Sequence, residues 1–472
     1  MITAYTEENQ ECKIKEDKLH INTLCYAHNL FKLMPYPEVQ HISFCINPKI
    51  IDRKKFEDLQ RACLDFDNVL VDLYNNFPQL IKFYEEYASG DEFLGLLLKI
   101  YKRVKSKGFN RNKPIIFINR NDFMYDRECD TFLEIEYNLI AASMGFHSHN
   151  LNKMLHQYYT LHRHKKLQFV ESNYPSFHLE TFVKFWSYYA NPHAYVGILL
   201  SDQEGNIFET IQIEQLLLDA GIKTVRINAN DIINLNFHLD DSNNLVFKGK
   251  EIGIVYLRYL YDPSHYTDDI EEFMYTAELS NAMCIPSIEM LLINMKLSQF
   301  LLCNAKAQEK YDIPKIDLRS FANHICPHYI LRDNFNNDKE KMISEVKKDI
   351  NSYLLKTFKE GGYGDIIAGE SIIDLINKDT IEHLNTYMLV HRVKTPTYPS
   401  YVWYEGELKY FNETISEFSI YTGVAMKMNE NGVWVMDWHK GTENLVRTKP
   451  VNTLKGGVAV NAAFIDSLIY KD

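Results

Sequence analysis

The chain has 472 residues, with 51 Lys plus Arg against 63 Asp plus Glu, and therefore a formal net charge of −12. Hydrophobic residues make up 46% and charged residues 24%, as in an ordinary water-soluble globular protein, and the length predicts roughly two or three packed subdomains. A net acidic chain has no overall field that draws it to nucleic acid or to an anionic membrane. Because the sequence also has no apolar run of about 18 residues, it predicts no membrane-spanning helix, and we expect partners of neither kind.

The cysteines and the amino-terminal residues give an expectation for the cellular compartment of the protein. The eight cysteines contain no C-x-x-C pair, so the sequence predicts free thiols in a reducing compartment rather than a zinc or thioredoxin-like motif. The amino-terminal residues, MITAYTEENQECKIKEDKL, lack the apolar segment of a signal peptide. The sequence therefore predicts a cytoplasmic protein, and a secreted protein whose leader peptide has been removed stays the alternative.

The first quarter of the chain has the pattern of helices. Apolar residues recur at three- and four-residue spacing through residues 49–77 and again through residues 93–104, which predicts two amphipathic helices. Short strands are predicted at residues 115–118 and 132–137, where apolar runs and alternating acids appear.

A parallel α/β unit is predicted in the middle of the chain. Strands are expected at residues 195–200, 224–227 and 252–257, with a helix at 207–220 that ends at Gly221. Strand, helix and strand in so few residues are typical of a parallel sheet. Residues 269–304 are predicted to be helical.

The last quarter contains strands and a glycine-rich loop. SYLLKTF at residues 352–358 and the segment 387–393 alternate like strands, as do VWVMDW at 433–438 and NLVRTK at 444–449. Between the first two strands, KEGGYG contributes Gly361 and Gly362, whose bare amide groups suit phosphate oxygens. A hairpin turn has the same composition, and neither the P-loop nor the dinucleotide-binding glycine pattern is present.

Two pairs of polar residues are candidates for a phosphate site. Glu136 and Asn138 are two apart on a predicted strand, so they share a face and offer the oxygen ligands that Mg²⁺ takes beside phosphates. Arg447 and Lys449 share a face in the same way, ten residues before a small-residue turn, and suit a carboxylate and a phosphate. Taken alone, the first pair also fits a solvated strand face and the second a surface basic pair.

Together these segments resemble the eukaryotic glutathione synthetase family, a branch of the ATP-grasp ligases. Six blocks carry the resemblance, in family order: NRNDFMYDR with LEIEYNLIAASMG, EGNIFE, IVYLRYLY, LINMKLSQFLL, YLLKTFKEGGYG, and LVRTK with GGVA. The resemblance implies an α/β fold of the ATP-grasp class, with an inserted parallel α/β substrate domain and a glycine-rich lid. We place the amino-terminal part of the core at residues 1–190, the substrate domain at 191–305, the lid at 306–395 and the carboxy-terminal part of the core at 396–472.

The activity that the resemblance implies is ATP-dependent joining of γ-glutamylcysteine to glycine through an acyl phosphate. It implies ATP and Mg²⁺ as cofactors and a homodimer as the assembly. The phosphoryl transfer needs fixed cations and metal ions to neutralise charge, and the acyl phosphate needs a lid that excludes water.

The resemblance also implies a role for individual residues. The implied magnesium ligands are Glu136, Asn138 and Glu360. The implied ATP contacts are Lys296, Lys356, Gly361, Gly362, Glu417 and Lys449. The implied substrate contacts are Arg120 at the reacting carboxylate, Ser143 beside the dipeptide, Glu204, Asn206, Arg258 and Tyr261 at the γ-glutamyl end, and Arg447, Val458 and Ala459 at the glycine end.

The chain departs from the family mainly around the organic substrates. Ala141 replaces a serine and Thr210 a glutamine of the substrate site. Further departures are Tyr363 and Asp365 in the glycine-rich loop, His391 and Arg392 beside the adenine, and Lys455 before the final turn. Two alternatives to an ordinary synthetase therefore stay open: a ligase with altered substrate or weak activity, and a non-catalytic binding protein such as a secreted effector-like relative.

Overall fold

In the computed structural model, the described residues are 2–5, 10–34, 38–108, 113–163, 166–233, 236–314, 316–358, 366–454, 456–458 and 461–471. They form helices around five β-sheets, so the α/β class is confirmed. The α-helices are Gln10–Glu16, Lys18–Ala27, Arg53–Asn75, Phe77–Tyr87, Glu92–Lys107, Gly145–Gln157, Tyr174–Tyr189, Ile207–Asp219, Ala229–Ile233, Asp268–Leu279, Ile288–Ile293, Lys296–Cys303, Ala305–Lys310, Leu331–Phe335, Lys339–Lys348, Glu370–Lys378 and Ile381–Leu384.

The largest sheet, called here the central sheet, has seven strands. Their order is Tyr398–Tyr404, Phe44–Cys45, Phe464–Asp466, Trp434–Pro450, Glu407–Met428, Ile115–Asp126 and Thr131–Asn138. Helix Arg53–Asn75 packs on one face and helix Tyr174–Tyr189 on the other, so residues 414–426 of the first long strand and 445–449 of the second are buried. Their register sets Glu417 directly opposite Arg447.

A second sheet, called here the parallel sheet, positions two loops at one edge. Its order is Phe237–Leu239, Leu245–Phe247, Lys250–Leu257, Tyr195–Leu200 and Thr224–Asn228, and Met283–Ile285 also pairs with Lys250–Leu257. Tyr195–Leu200 and Lys250–Leu257 run parallel. The residues that follow these two strands therefore lie at the same sheet edge, where α/β proteins bind ligands.

A third sheet of four antiparallel strands has its own small hydrophobic core. Its order is His328–Ile330, Tyr387–His391, Tyr353–Thr357 and Ile366–Ala368. Leu355, Leu389 and Ile372 are among the residues of its core. The two smallest sheets pair Thr3–Ala4 and Leu468–Tyr470 with Lys49–Ile51, and Phe31–Leu33 with Val39–His41.

Most predicted elements are present, and two of the predicted helices have different bounds in the structure. The helix predicted at 49–77 begins only at Arg53, because residues Lys49–Ile51 pair as a strand and Asp52 caps the helix by accepting a hydrogen bond from the Lys55 amide. The prediction that residues 269–304 are helical is wrong at Met283–Ile285, which is a strand. Pairing of this apolar tripeptide with Lys250–Leu257 outweighs its local helical pattern.

Two strand predictions were too short. The strand predicted at 115–118 continues to Asp126, and the two carboxy-terminal runs form one strand, Trp434–Pro450. Both extensions are held by pairing with the long strand Glu407–Met428. The described helices include none long and apolar enough to cross a membrane, and the cysteines whose side chains are described are free thiols.

Candidate active site

A cavity of about 940 Å³ opens between the central sheet, the edge of the parallel sheet and the four-stranded sheet. Every predicted site residue that the structure describes lines it: Arg120, Glu136, Asn138, Ser143, Glu204, Asn206, Arg258, Tyr261, Lys296, Lys356, Glu417, Arg447, Lys449 and Val458. Glu360, Gly361, Gly362 and Ala459 lie outside the described residues. Residues far apart in the chain thus meet in one concave, charged site.

A chain of alternating charges crosses the floor of the cavity. Asp122 accepts hydrogen bonds from Arg120 Nε and Nη2, both at 2.9 Å, and from Arg447 Nη2 at 2.7 Å. Arg447 Nη2 lies 3.1 Å from Glu417 Oε2, and Lys449 Nζ lies 2.7 Å from Glu417 Oε1. The five side chains are buried, so each charge is held by its neighbours rather than by water.

These contacts fix the ionisation of the two carboxylates. Burial by itself would raise the pKa of Asp122, yet the guanidinium groups of Arg120 and Arg447 outweigh burial and hold that pKa below its ordinary value. Burial is likewise outweighed at Glu417, whose pKa is lowered by Lys449 and Arg447. Both carboxylates are therefore ionised at neutral pH.

Asp122 was not predicted as a site residue, although it connects three that were. Besides the two arginines, it accepts a hydrogen bond of 3.0 Å from Asn138 Nδ2. It thus joins one implied magnesium ligand to the implied contacts with the reacting carboxylate and with the glycine end. The sequence held one signal, since Asp122 is two residues after Arg120 and shares its strand face.

Glu136 and Asn138 both face the cavity from the edge strand Thr131–Asn138 and are half-buried. Because the amide nitrogen of Asn138 donates to Asp122, its amide oxygen is the atom left to bind a cation. Among the described residues, no group of three or more His, Cys, Asp or Glu is arranged to hold a metal ion. Two protein oxygens are nevertheless enough for Mg²⁺ when phosphate oxygens and waters complete its shell, so the residues present fit the ion.

The edge of the parallel sheet carries a second polar cluster, called here the head-group site: Glu204, Asn206, Glu209 and Arg258. Arg258 Nη2 donates to Glu209 Oε2 at 2.7 Å, and Asn206 Nδ2 donates to the same oxygen at 2.6 Å. Within the described residues, the buried atoms Arg258 Nε and Asn206 Oδ1 have no hydrogen-bond partner. One unsatisfied cationic donor and one unsatisfied acceptor suit a ligand that offers a carboxylate and an amine.

The loop at residues 139–144 runs from Asn138, which contacts Asp122, to Met144, which contacts Glu209. It is held at both ends and in the middle: Leu139 N donates to Asn294 Oδ1 at 2.7 Å, Ala141 N donates to the Leu257 carbonyl at 3.3 Å, and Tyr421 donates its hydroxyl to the Ser143 carbonyl at 2.6 Å. Ala141 and Met144 have left-handed backbones, with φ of 51° and 79°. Residues other than glycine rarely adopt this conformation, so the tethers hold a strained loop in place.

Besides Lys449, two further implied ATP lysines come from different parts of the fold. Lys296 is the first residue of helix Lys296–Cys303, and Lys356 lies in a strand of the four-stranded sheet, opposite Met388. Both are half-buried and line the cavity. The cavity therefore receives cations from two separate elements, and such cations can bind phosphate oxygens through charge-assisted hydrogen bonds.

The structure places some of the departures from the family pattern. Ala141, His391 and Arg392 line the cavity. Thr210 is fully buried one helical turn after Asn206, and its hydroxyl has no hydrogen-bond partner among the described residues. Tyr363, Asp365 and Lys455 lie outside the described residues.

The chain is similar to known glutathione synthetases over most of its length. A family profile described as "Eukaryotic glutathione synthase, ATP binding domain" matches residues 16–470. Human glutathione synthetase is 28% identical over 449 residues, which is 91% of this chain and 90% of that protein. The Dictyostelium discoideum glutathione synthetase is 25% identical over 457 residues, 91% of this chain and 92% of that protein.

A solved structure shares the fold. The apo structure of a glutathione synthetase-like effector from Globodera pallida aligns with a TM-score of 0.75, covering 99% of this chain and 98% of that one. Sequence identity over this alignment is 16%, so this likeness speaks for the fold alone.

Proposed function

The chain belongs to the eukaryotic glutathione synthase family, and from this premise we propose that it is an ATP-dependent ligase that joins γ-glutamylcysteine to glycine. Membership and the shared fold together confirm the ATP-grasp class predicted from the sequence. The family is an ATP-binding one, so ATP is the nucleotide. The dipeptide, the acceptor and Mg²⁺ are the parts that we propose.

The observation that carries the proposal is the pair of unsatisfied buried atoms in the head-group site. Arg258 Nε offers a cationic N–H and Asn206 Oδ1 offers an acceptor, and both atoms belong to residues that line the cavity. The α-carboxylate and α-amine of a γ-glutamyl group supply the matching charges. Glu204 lies beside them, since its carboxylate accepts a hydrogen bond of 2.7 Å from the backbone N–H of Asn206. It adds a negative charge that suits the amine.

The reaction has two steps. The γ-phosphoryl group of ATP passes to the carboxylate of the dipeptide, which gives an acyl phosphate and ADP. The glycine amine then attacks the acyl carbon, loses a proton, forms the amide bond and releases phosphate. Both steps build negative charge close to the reacting carboxylate, so fixed positive groups at that point lower the barrier.

We assign this role to Arg120. Asp122 holds its guanidinium by two hydrogen bonds, so the cation is oriented before a substrate arrives. We assign Arg447 to the carboxylate of glycine and Lys296, Lys356 and Lys449 to the phosphates. Glu417 orients Lys449 through their contact of 2.7 Å.

We propose that Glu136 and Asn138, with Glu360, hold Mg²⁺ at the phosphates. When bound, the ion would neutralise charge on the phosphate oxygens. The protein's own part is to keep the Asn138 oxygen turned away from Asp122, which the hydrogen bond from its amide nitrogen does.

The test is ADP release by the purified protein with Mg-ATP and γ-glutamylcysteine, with and without glycine, followed by mass analysis of the product. We expect glycine-dependent ADP release and a product with the mass of glutathione. Binding of Mg-ATP is measured beside it as a rise in melting temperature, because a ligand at 100 times its Kd stabilises by about 2.7 kcal/mol. Mg-ATP binding without any turnover would contradict the proposed pair of substrates.

A ligase with a different acceptor or donor is the second candidate, and Ala141 and Thr210 favour it. Ala141 lines the cavity without a polar side chain. Thr210 has a buried hydroxyl beside the head-group site, and this hydroxyl has no hydrogen-bond partner within the part of the chain that the structure describes. A panel of amino acids and amines, tested with γ-glutamylcysteine and Mg-ATP, distinguishes the candidates. ADP release with another amine but not with glycine would establish the second.

We further propose that the protein is a cytoplasmic homodimer: the family resemblance implies the dimer, and the free thiols among the described cysteines fit a reducing compartment. Light scattering after size-exclusion chromatography measures the assembly, and a mass near twice 55.5 kDa is expected. A mass near that of one chain would contradict the dimer.

A further inference from the structure

Glu209 is a buried residue to which sequence comparison assigned no role, and it contacts three separate parts of the cavity wall. Its Oε2 accepts hydrogen bonds from Arg258 Nη2 at 2.7 Å, Asn206 Nδ2 at 2.6 Å and the Met144 amide at 3.0 Å. Its Oε1 accepts from the Phe146 amide at 3.2 Å. Arg258 follows strand Lys250–Leu257, Asn206 precedes helix Ile207–Asp219, and Met144 and Phe146 lie at the start of helix Gly145–Gln157.

The carboxylate is charged, and it is sheltered from water. Burial opposes its ionisation, but Arg258 and His147 outweigh burial, so the pKa of Glu209 lies below its ordinary value. The Glu209 side chain is 1% exposed and that of Arg258 is 3% exposed. Hydrogen bonds to a charged acceptor are stronger than neutral ones, and here no water competes for them.

The same contacts decide which atoms remain for a ligand. Glu209 takes Nη2 of Arg258 and Nδ2 of Asn206, and Tyr256 OH lies 3.2 Å from Nη1 of Arg258. Arg258 Nε and Asn206 Oδ1 are thereby left as the unsatisfied pair. Glu209 does not line the cavity itself, so it acts through the residues that do.

We propose that Glu209 is a positioning residue for the γ-glutamyl donor: its single charge holds Arg258, Asn206 and the loop at residues 139–144 in register around the head group. The inference rests on the proposed function for the identity of the donor. The tether itself exists whatever the substrate is, because all four donors belong to the protein.

The test compares Glu209→Gln with Glu214→Gln in the full-length protein. Glu214 is a matched control, since it lies in the same helix and pairs with Arg226 at 2.6 Å on the solvent side. For Glu209→Gln we expect the KM for γ-glutamylcysteine to rise by roughly tenfold or more, because charged hydrogen bonds are lost, with the KM for ATP unchanged. In hydrogen exchange, the peptide that contains Met144 and Phe146 should lose protection in this variant alone.

Two results would overturn the proposal. One is a KM for γ-glutamylcysteine that stays unchanged or rises no more than the KM for ATP does. The other is unchanged protection at Met144 and Phe146. If Glu209→Gln does not fold, Glu209→Asp keeps the charge and shortens the reach, and the same rise in dipeptide KM is expected from it.

The design also separates this proposal from the function it rests on. If the unaltered protein does not turn over γ-glutamylcysteine, the proposed function fails. Hydrogen exchange that becomes faster only in the peptide with Met144 and Phe146 of Glu209→Gln would still support the tether. Unchanged exchange in this peptide would refute it.

Discussion

Acid should destabilise this protein through His178, a residue of helix Tyr174–Tyr189. Its ring lies among Phe146, Tyr174, Phe182 and Tyr256, and neither ring nitrogen has a hydrogen-bond partner among the described residues. Burial, and to a lesser extent the charge of Arg258, lowers the pKa of His178 from 6.5 to about 3, against a smaller opposing effect of Glu209. The folded protein therefore keeps this histidine neutral.

The size of the effect follows from the two pKa values. Between about pH 6.5 and pH 3 the unfolded chain binds a proton at this position and the folded chain does not, so the unfolding free energy falls as pH falls. At about pH 5, protonated His178 outnumbers the neutral form by about 30 to 1 in the unfolded chain. This preference lowers the unfolding free energy by about 2 kcal/mol. Near pH 8 His178 is neutral in both the folded and the unfolded chain, so it does not lower the unfolding free energy.

The perturbation is His178→Phe, which keeps an aromatic ring and removes the titration. Urea denaturation of both proteins at about pH 8 and pH 5 measures the loss of stability on acidification, and the variant should lose about 2 kcal/mol less than the parent. Any overpacking by the larger ring is the same at both pH values and does not enter the difference. His193→Gln, at an exposed histidine, is the control. An equal loss in parent and His178→Phe would refute the reasoning.

Three further changes test single features of the site. Asp122→Asn leaves Arg120 and Arg447 buried without their shared carboxylate, so it should lower the unfolding free energy by about 3 kcal/mol and abolish turnover, as denaturation and ADP release would measure. Ala141→Gly removes the penalty of a left-handed alanine and should raise the unfolding free energy by about 0.5–1 kcal/mol, whereas a decrease would show that the loop is not strained. Thr210→Val removes a buried, unpaired hydroxyl and should stabilise by about 1 kcal/mol; a loss of similar size would reveal a partner for that hydroxyl.

Local patterns were enough to predict the strands that carry the site. The strand predicted at 195–200 has the observed bounds, Tyr195–Leu200, because an apolar run between turn residues has few other solutions in a buried parallel sheet. Alternation likewise predicted that Arg447 and Lys449 share a face, and both contact Glu417 in the structure. Such predictions need only neighbours in sequence.

What the sequence did not predict depends on partners that are distant in the chain. Asp122 contacts Arg447, 325 residues later, and Glu209 contacts Met144, 65 residues earlier. Local spacing relates Asp122 only to Arg120, and it does not show that either carboxylate collects several donors. The strand Met283–Ile285 was missed for the same reason, since only its pairing with Lys250–Leu257 distinguishes it from the helices around it.

The departures from the family limit how far the activity can have shifted. The charge chain from Arg120 to Lys449 is complete, so the losses at Ala141 and Thr210 concern neutral hydrogen bonds, which are worth about 0.5–1.5 kcal/mol each. Both together correspond to at most about a hundredfold in kcat/KM. Ala141→Ser combined with Thr210→Gln should recover activity within that range. A complete loss of turnover would be too large for these two positions, and its cause would have to be sought in the glycine-rich loop.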